Sequence, residues 1–177
     1  MKLLLASASP RRRELLAPIC PFETEVSRFE ECDGRSAEET VLKNARGKAL
    51  EVLGRFPECR VLGADTAVAL NGVILGKPKD AADAERMLRF LSGRTHSVFT
   101  GVCVADKFGV TERVVETKVL FKELSEEMIK SYVSSGAPLD KAGAYGIQDG
   151  IVVESYEGSY SNVMGLPTET VEEMLFR

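Results

Sequence analysis

Asp65 stands inside VLGADTAVAL, a run whose other residues suit a buried strand. Aspartate is depleted in strands, and a buried carboxylate without partners is heavily penalised or keeps its proton. Four explanations are open: a bulge at Gly63, satisfaction by backbone N–H groups, a role as general base, or a role as metal ligand. Glu30 and Glu31, in a polar stretch upstream, can join it as hard oxygen donors. Mg²⁺ and Mn²⁺ bind in this way, through one or two carboxylates plus substrate phosphate and water.

Cations accompany these acids. Arg11, Arg12 and Arg13 follow Ser9-Pro10, which reads as the N-cap and first residue of a helix. That end of a helix carries partial positive charge, so three arginines there are a misfit that a bound phosphate would relieve. Ser7 and Ser9 add hydroxyls to the turn, and successive helical side chains, about 100° apart, cannot all point one way. Lys48 lies at the edge of an apolar helical stripe and Lys77 in the turn Gly76-Lys77-Pro78; singly, such lysines are ordinary cover residues. Gln148, within AGAYGIQDG, carries an amide that donates and accepts at once and so matches the edge of uracil or thymine.

Several other chemistries lack their residues. There is no GxxxxGK[ST] loop, no GxGxxG after a strand, no GxSxG elbow and no HExxH. His96 is the single histidine, and Cys20, Cys32, Cys59 and Cys103 form no CxxC pair, so a zinc site is hard to assemble. Unpaired thiols fit a reducing cytoplasm. A net charge of −4 argues against a broad footprint on nucleic acid, and no apolar run has the length of a signal core or a membrane span.

These residues need elements to hold them. With 177 residues, 44% of them apolar, the chain reads as one domain spanning 1–177. Residues 2–6 suit a buried strand, residues 10–17 a helix, and residues 22–26 a strand with Thr24 on its apolar face. Ser36 and Glu39 form a capping box before a helix striped by Val41, Leu42, Ala45, Ala49, Val52 and Leu53. Asn71-Gly72 marks a hairpin between residues 60–70 and 73–75. Asp80 caps a helix ending at Ser92-Gly93; long strands follow over 95–106 and 110–121. Ser125 caps a helix burying Met128, Ile129, Tyr132 and Val133, then come the strand IVVES and a last helix with Val171, Met174 and Leu175 on one face. Interleaved helices and strands with a hairpin predict an α/β fold with a mixed sheet flanked by helices.

Four blocks, in order, make the chain recognisable: LLLASASPRRRELL, LGADTAVALNGVILGKPKDAADAERMLRFLSGRTHSVFTGV, PLDKAGAYGIQ and GSYSNVMGLP. Together they resemble the Maf family of nucleoside triphosphate pyrophosphatases, in the form of its dTTP/UTP branch. The sister branch that prefers 7-methyl-GTP typically reads SPYR and GSDQ and lacks GAYGIQ. The segment DGIVVESYE after Gln148 is shorter than the usual form.

The resemblance implies an elongated mixed sheet similar to that of the inosine triphosphate pyrophosphatases, with a cleft between two lobes. It also implies hydrolysis of dTTP and UTP to the monophosphate and pyrophosphate with a divalent cation, in a house-cleaning role linked to restraint of cell division, and a homodimer. By motif position Asp65 would be the proton acceptor or a metal ligand beside Glu31. Arg11, Thr66 and Gln148 would set base specificity. Ser7, Arg12, Lys48 and Lys77 would hold the phosphates. The competing readings are a purine-type house-cleaning enzyme and a non-catalytic nucleotide-binding regulator.

Overall fold

The computed structural model describes residues 1–176. Leu3–Leu5 (β1) is all-apolar and buried, as an internal parallel strand requires. Ser9 caps Pro10–Leu16 (α1), its hydroxyl accepting from the Arg12 N–H at 3.5 Å. The expected alternating strand over 22–26 shrinks to Glu23–Thr24 (β2): Thr24 and Val26 are exposed while Glu25 turns to Arg55. Two ladder positions beside a three-residue neighbour are too few to impose an inward face.

Ala37–Arg55 (α2) begins with the Ser36 hydroxyl accepting from the Glu39 N–H at 3.2 Å. The Glu39 carboxylate accepts in return from the Arg35 N–H, one residue earlier than a capping box places it. Arg60–Leu70 (β3) and Val73–Leu75 (β4) are joined by Asn71 and Gly72, both at positive φ (51° and 76°), the two-residue turn expected there. Asp80 caps Ala81–Leu91 (α3), and Thr95–Asp106 (β5) pairs along its length with Gly109–Phe121 (β6).

Ser125 caps Glu126–Ser134 (α4), which buries Ile129, Tyr132 and Val133; Met128, in its first turn, is exposed, outside the face it packs inward. Short 3-10 turns at Ala137–Asp140, Ala142–Ala144 and Ile147–Asp149 carry the glycine-rich passage. Val153–Glu157 (β7) starts later than IVVES implies, next to a register irregularity at Leu120 and Phe121. Tyr160–Val163 (α5) and Thr168–Phe176 (α6) complete the chain's elements.

The sheet runs β2-β1-β3-β5-β6-β7, with β4 also on β3. The β1–β2 and β1–β3 pairs are parallel and the others antiparallel, so the sheet is mixed, as expected. On one side β3 pairs continuously with β5; on the other, β1 takes residues 60–62 and β4 takes 68–70. Among the described residues, 63–67 therefore have no strand partner on that edge.

Apolar clusters cover both faces. Leu5, Leu16, Leu62 and Leu166 pack beneath α1 and α6, while Ala45, Ala49, Val52 and Val61 pack between α2 and the sheet. Farther along, Leu88, Leu91, Phe121 and Ile129 close the core under α3 and α4. Among the described residues, no helix is long and apolar enough to cross a membrane, and the four cysteines are unpaired.

Helix α2 lies at backbone distance from the sheet. A Cβ on Gly63 would fall 2.2 Å from the Ala45 carbonyl oxygen, and one on Gly101 would fall 2.4 Å from that of Val41. Backbone cannot swing aside as a flexible side chain can, so Gly63→Ala should cost roughly 1–3 kcal/mol. Urea denaturation would read this as a lower midpoint; an unchanged midpoint would show that α2 can lift off freely.

Candidate active site

A pocket of about 950 Å³ opens at the unpaired edge of β3, between residues of α1 and the β4 turn. Of the site residues expected from the sequence, Asp65, Thr66, Arg11, Arg12, Glu31, Lys48, Lys77 and Gln148 line it, and Ser7 and Glu30 do not. Strand alternation sends Asp65 toward α2 and Thr66 toward α1, and the missing neighbour lets one pocket reach both.

Asp65 is 8% exposed and has partners for both oxygens. Lys48 Nζ donates to Oδ1 at 2.9 Å, and Asn44 Nδ2 donates to Oδ2 at 3.0 Å. Asn44 and Lys48 lie four residues apart on α2, hence on one helix face. Lys48 Nζ also meets Glu31 Oε1 at 2.6 Å, so one ammonium bridges two carboxylates. Burial works to raise the Glu31 pKa, but the Lys48 hydrogen bond and charge, with Lys77 and Arg12 behind them, hold it below its ordinary value. Glu30 is exposed and does not line the pocket.

Glu31 sits in a segment without secondary structure that α2 nonetheless holds at successive points. Glu51 accepts from the Arg28 N–H at 2.9 Å, the Phe29 ring covers Gly47, and Asn44 accepts from the Cys32 N–H at 2.9 Å. Thr40 then accepts from the Gly34 N–H at 2.8 Å and Glu39 from the Arg35 N–H at 2.8 Å. The loop runs antiparallel to the helix and is fixed by its side chains.

The arginines part company as their spacing demanded. Arg12 donates from Nε to the Gly165 carbonyl at 2.7 Å, from Nη1 to Ser7 at 3.3 Å and from Nη2 to Thr66 at 3.1 Å. Ser7 is buried and also accepts from the Ser9 N–H, so it anchors this corner from behind, and Ser9 is the serine on the pocket wall. Thr66 in turn meets the Thr100 hydroxyl at 2.9 Å. Burial lowers the Arg12 pKa against the opposing pull of Asp65 and Glu31, although a guanidinium stays charged. Arg11 pairs with Asp140 at 3.1 Å, and Arg13 is exposed.

Gln148 is exposed on a loop clamped from beneath. Tyr132 donates its hydroxyl to Asp149 at 2.5 Å and accepts from the Gly146 N–H at 3.0 Å. Tyr145 meets His96 Nε2 at 2.7 Å, and both rings pack edge-on with Phe121. The Gly143 N–H donates to the Gly76 carbonyl at 3.1 Å, tying this loop to the turn that bears Lys77.

Sequence reasoning missed Asn44, Asp140 and Lys141, all of them on the pocket wall. Asn44 carried a signal: it is a polar residue beside Val41 and Ala45 in the apolar stripe, one turn before Lys48. Asp140 gave no sign of its partner, because Arg11 lies far away in the sequence, while Lys141 bonds locally to the Ala137 carbonyl and to Asp140.

Residues 2–177 match the profile of a family described as Maf-like protein. The chain belongs to the Maf family. It is 46% identical over 176 residues to a protein of Pyrococcus abyssi, covering 98% of this chain and 94% of that one. It is 51% identical over 175 residues to one of Myxococcus xanthus, covering 96% and 89%. Both relatives are named dTTP/UTP pyrophosphatase. The Staphylococcus aureus Ham1 protein shares the fold, with a TM-score of 0.50 at 18% identity over 71% of this chain and 73% of that one. The motifs of this Maf chain converge: SPRR, GADT, the Lys77 turn and GAYGIQ all reach the one pocket.

Burial pushes the His96 pKa down to about 4. The unfolded chain binds that proton near its ordinary value and the folded chain only near 4, so this contribution is full above about pH 6.5 and is lost as pH falls toward 4. Because the chain has one histidine, urea midpoints near pH 7 and near pH 5 should differ in the native protein and converge in His96→Gln. The same pH slope in both proteins would refute this.

Proposed function

We propose that this chain hydrolyses dTTP and UTP to the nucleoside monophosphate and pyrophosphate. The observation that carries the reading is the Asp65–Lys48–Glu31 cluster, set in one pocket with Arg12, Lys77 and the Gln148 loop. The relatives named dTTP/UTP pyrophosphatase support it, at identities near half over almost the whole chain.

In this reading water attacks the α-phosphorus and pyrophosphate leaves. Asp65, held by donors from α2, orients the water and takes its proton. Lys48 and Lys77 neutralise charge on the departing pyrophosphate, and Arg12, with three of its five N–H donors bonded to the protein, adds fixed positive potential. Gln148 reads the pyrimidine edge with both hydrogen-bonding groups of its amide. Arg11 bears on the base from the Asp140 side, and Thr66 acts on specificity by holding Arg12.

Glu31 and Asp65 already flank a single cation, the Lys48 ammonium. Two hard carboxylates suit Mg²⁺ or Mn²⁺ completed by substrate phosphate and water. Among the described residues no third acidic, histidine or cysteine ligand joins them, which fits an ion that arrives with the nucleotide. Such an ion would supply Lewis-acid polarisation of a phosphate oxygen. The unpaired thiols support a reducing cytoplasmic setting, and family resemblance supports a homodimer acting on a small molecule, with no nucleic acid or membrane as partner.

A pyrophosphate-release panel of canonical and modified triphosphates, with and without Mg²⁺ or Mn²⁺, tests the reading. The expected result is pyrophosphate, and no orthophosphate, from dTTP and UTP. Inactivity on every nucleotide would favour a binding regulator, and a preference for 7-methyl-GTP a purine enzyme. Asp65→Asn should lower kcat by about 10²–10⁴-fold with the fold intact, whereas Arg13→Ala should leave it unchanged. Near-native turnover in Asp65→Asn would remove Asp65 from the chemistry. Gln148→Ala should erode pyrimidine preference more than stability.

A further inference from the structure

We propose that Asn44 is a positioning residue that sets the Asp65 carboxylate and the Glu31 loop relative to each other. What that alignment accomplishes rests on the pyrophosphatase reading; the alignment itself belongs to the unliganded chain. Asn44 is 3% exposed and makes two bonds in opposite directions. Its Oδ1 accepts from the Cys32 N–H at 2.9 Å, and its Nδ2 donates to Asp65 Oδ2 at 3.0 Å. The orientation of the amide is forced by chemistry, because a backbone N–H only donates and a carboxylate accepts. Flipping it would break both bonds.

These bonds close a circuit. From Asn44 it passes to Asp65, then to Lys48, then to Glu31, and returns through the neighbouring residue Cys32. Asn44 and Lys48 stand one turn apart on a rigid helix, so two donors from one face fix both oxygens of the Asp65 carboxylate. The outer parts of the loop have their own anchors, Glu51 on Arg28 and Thr40 on Gly34. Asn44 is the anchor beside Glu31. Without it the loop should keep its course while the two carboxylates lose their mutual registration, and small displacements at a reacting centre are costly.

Two substitutions separate the bonds. Asn44→Leu removes both and retains a helix-forming residue of similar bulk. Asn44→Asp keeps an acceptor for Cys32 but, in its ionised form, offers Asp65 no donor and sets a second carboxylate against it. We expect Asn44→Leu to lower kcat about ten- to a hundred-fold with KM for the nucleotide nearly unchanged. Hydrogen exchange in the unliganded protein should quicken at the Cys32 amide and not at the Gly34 amide. Asn44→Asp should retain Cys32 protection and still lose kcat. Should Asn44→Leu fail to fold, Asn44→Asp carries the test alone. Native kcat in Asn44→Asp, or a lowered melting temperature with kcat and Cys32 exchange unchanged, would overturn the proposal. Inactivity of the native chain on every triphosphate would instead defeat the pyrophosphatase reading, and the exchange comparison would still decide whether Asn44 holds the loop.

Discussion

Helix α2 can deliver Asn44 and Lys48 to Asp65 only because it rests on the sheet at backbone distance. Gly63 and Gly101 create that distance, for at either position a methyl group would strike a carbonyl of the helix. Gly101 is also the β5 residue paired with Asp65, so the strand beside the carboxylate presents no side chain of its own. The buried acid is thereby met by an ammonium and an amide. This is what allows a carboxylate to persist within a strand, since an unpartnered one would be driven to protonate or to unfold its surroundings. The same helix then organises the loop that brings Glu31, so one packing constraint accounts for the whole acidic half of the site.

The cationic half depends on a second feature, the gap along β3. Alternation in a strand ordinarily places neighbours such as Asp65 and Thr66 in different environments. Here β1 ends before β4 begins, and the pocket passes through the interval, collecting groups from both faces. Arg12 spans this opening from the α1 side, joined to Ser7, Thr66 and Gly165. Its ties to neutral acceptors leave its charge uncancelled at contact distance, which suits a site for polyanions. The acids nearest it act through space and are themselves engaged by Lys48.

The loop that carries Gln148 is an irregular part of the chain built from short 3-10 turns, and it is braced from below. Tyr132, Asp149, His96 and Tyr145 fix short 3-10 turns that could not hold their shape by intrinsic propensity. A buried neutral histidine is a suitable brace, because it supplies a hydrogen bond without a charge that the surrounding aromatic rings would have to solvate.

Much of this was written into the sequence by itself. The caps at Ser9, Ser36, Asp80 and Ser125, the Asn71-Gly72 turn and the anomaly of an aspartate in an apolar strand are local signals, and each was legible because it depends on residues within a turn of one another. The ordered motifs likewise named the family before any geometry was available. Tertiary structure alone decided that Lys48 bridges Glu31 to Asp65, that Ser7 supports Arg12 from behind, that Asp140 meets Arg11, and that Asn44 closes the circuit. It also decided that β3 is left bare between two partners. These outcomes depend on sheet register and on how closely one helix may lie on it, quantities summed over contacts between distant segments that no short stretch of residues can specify.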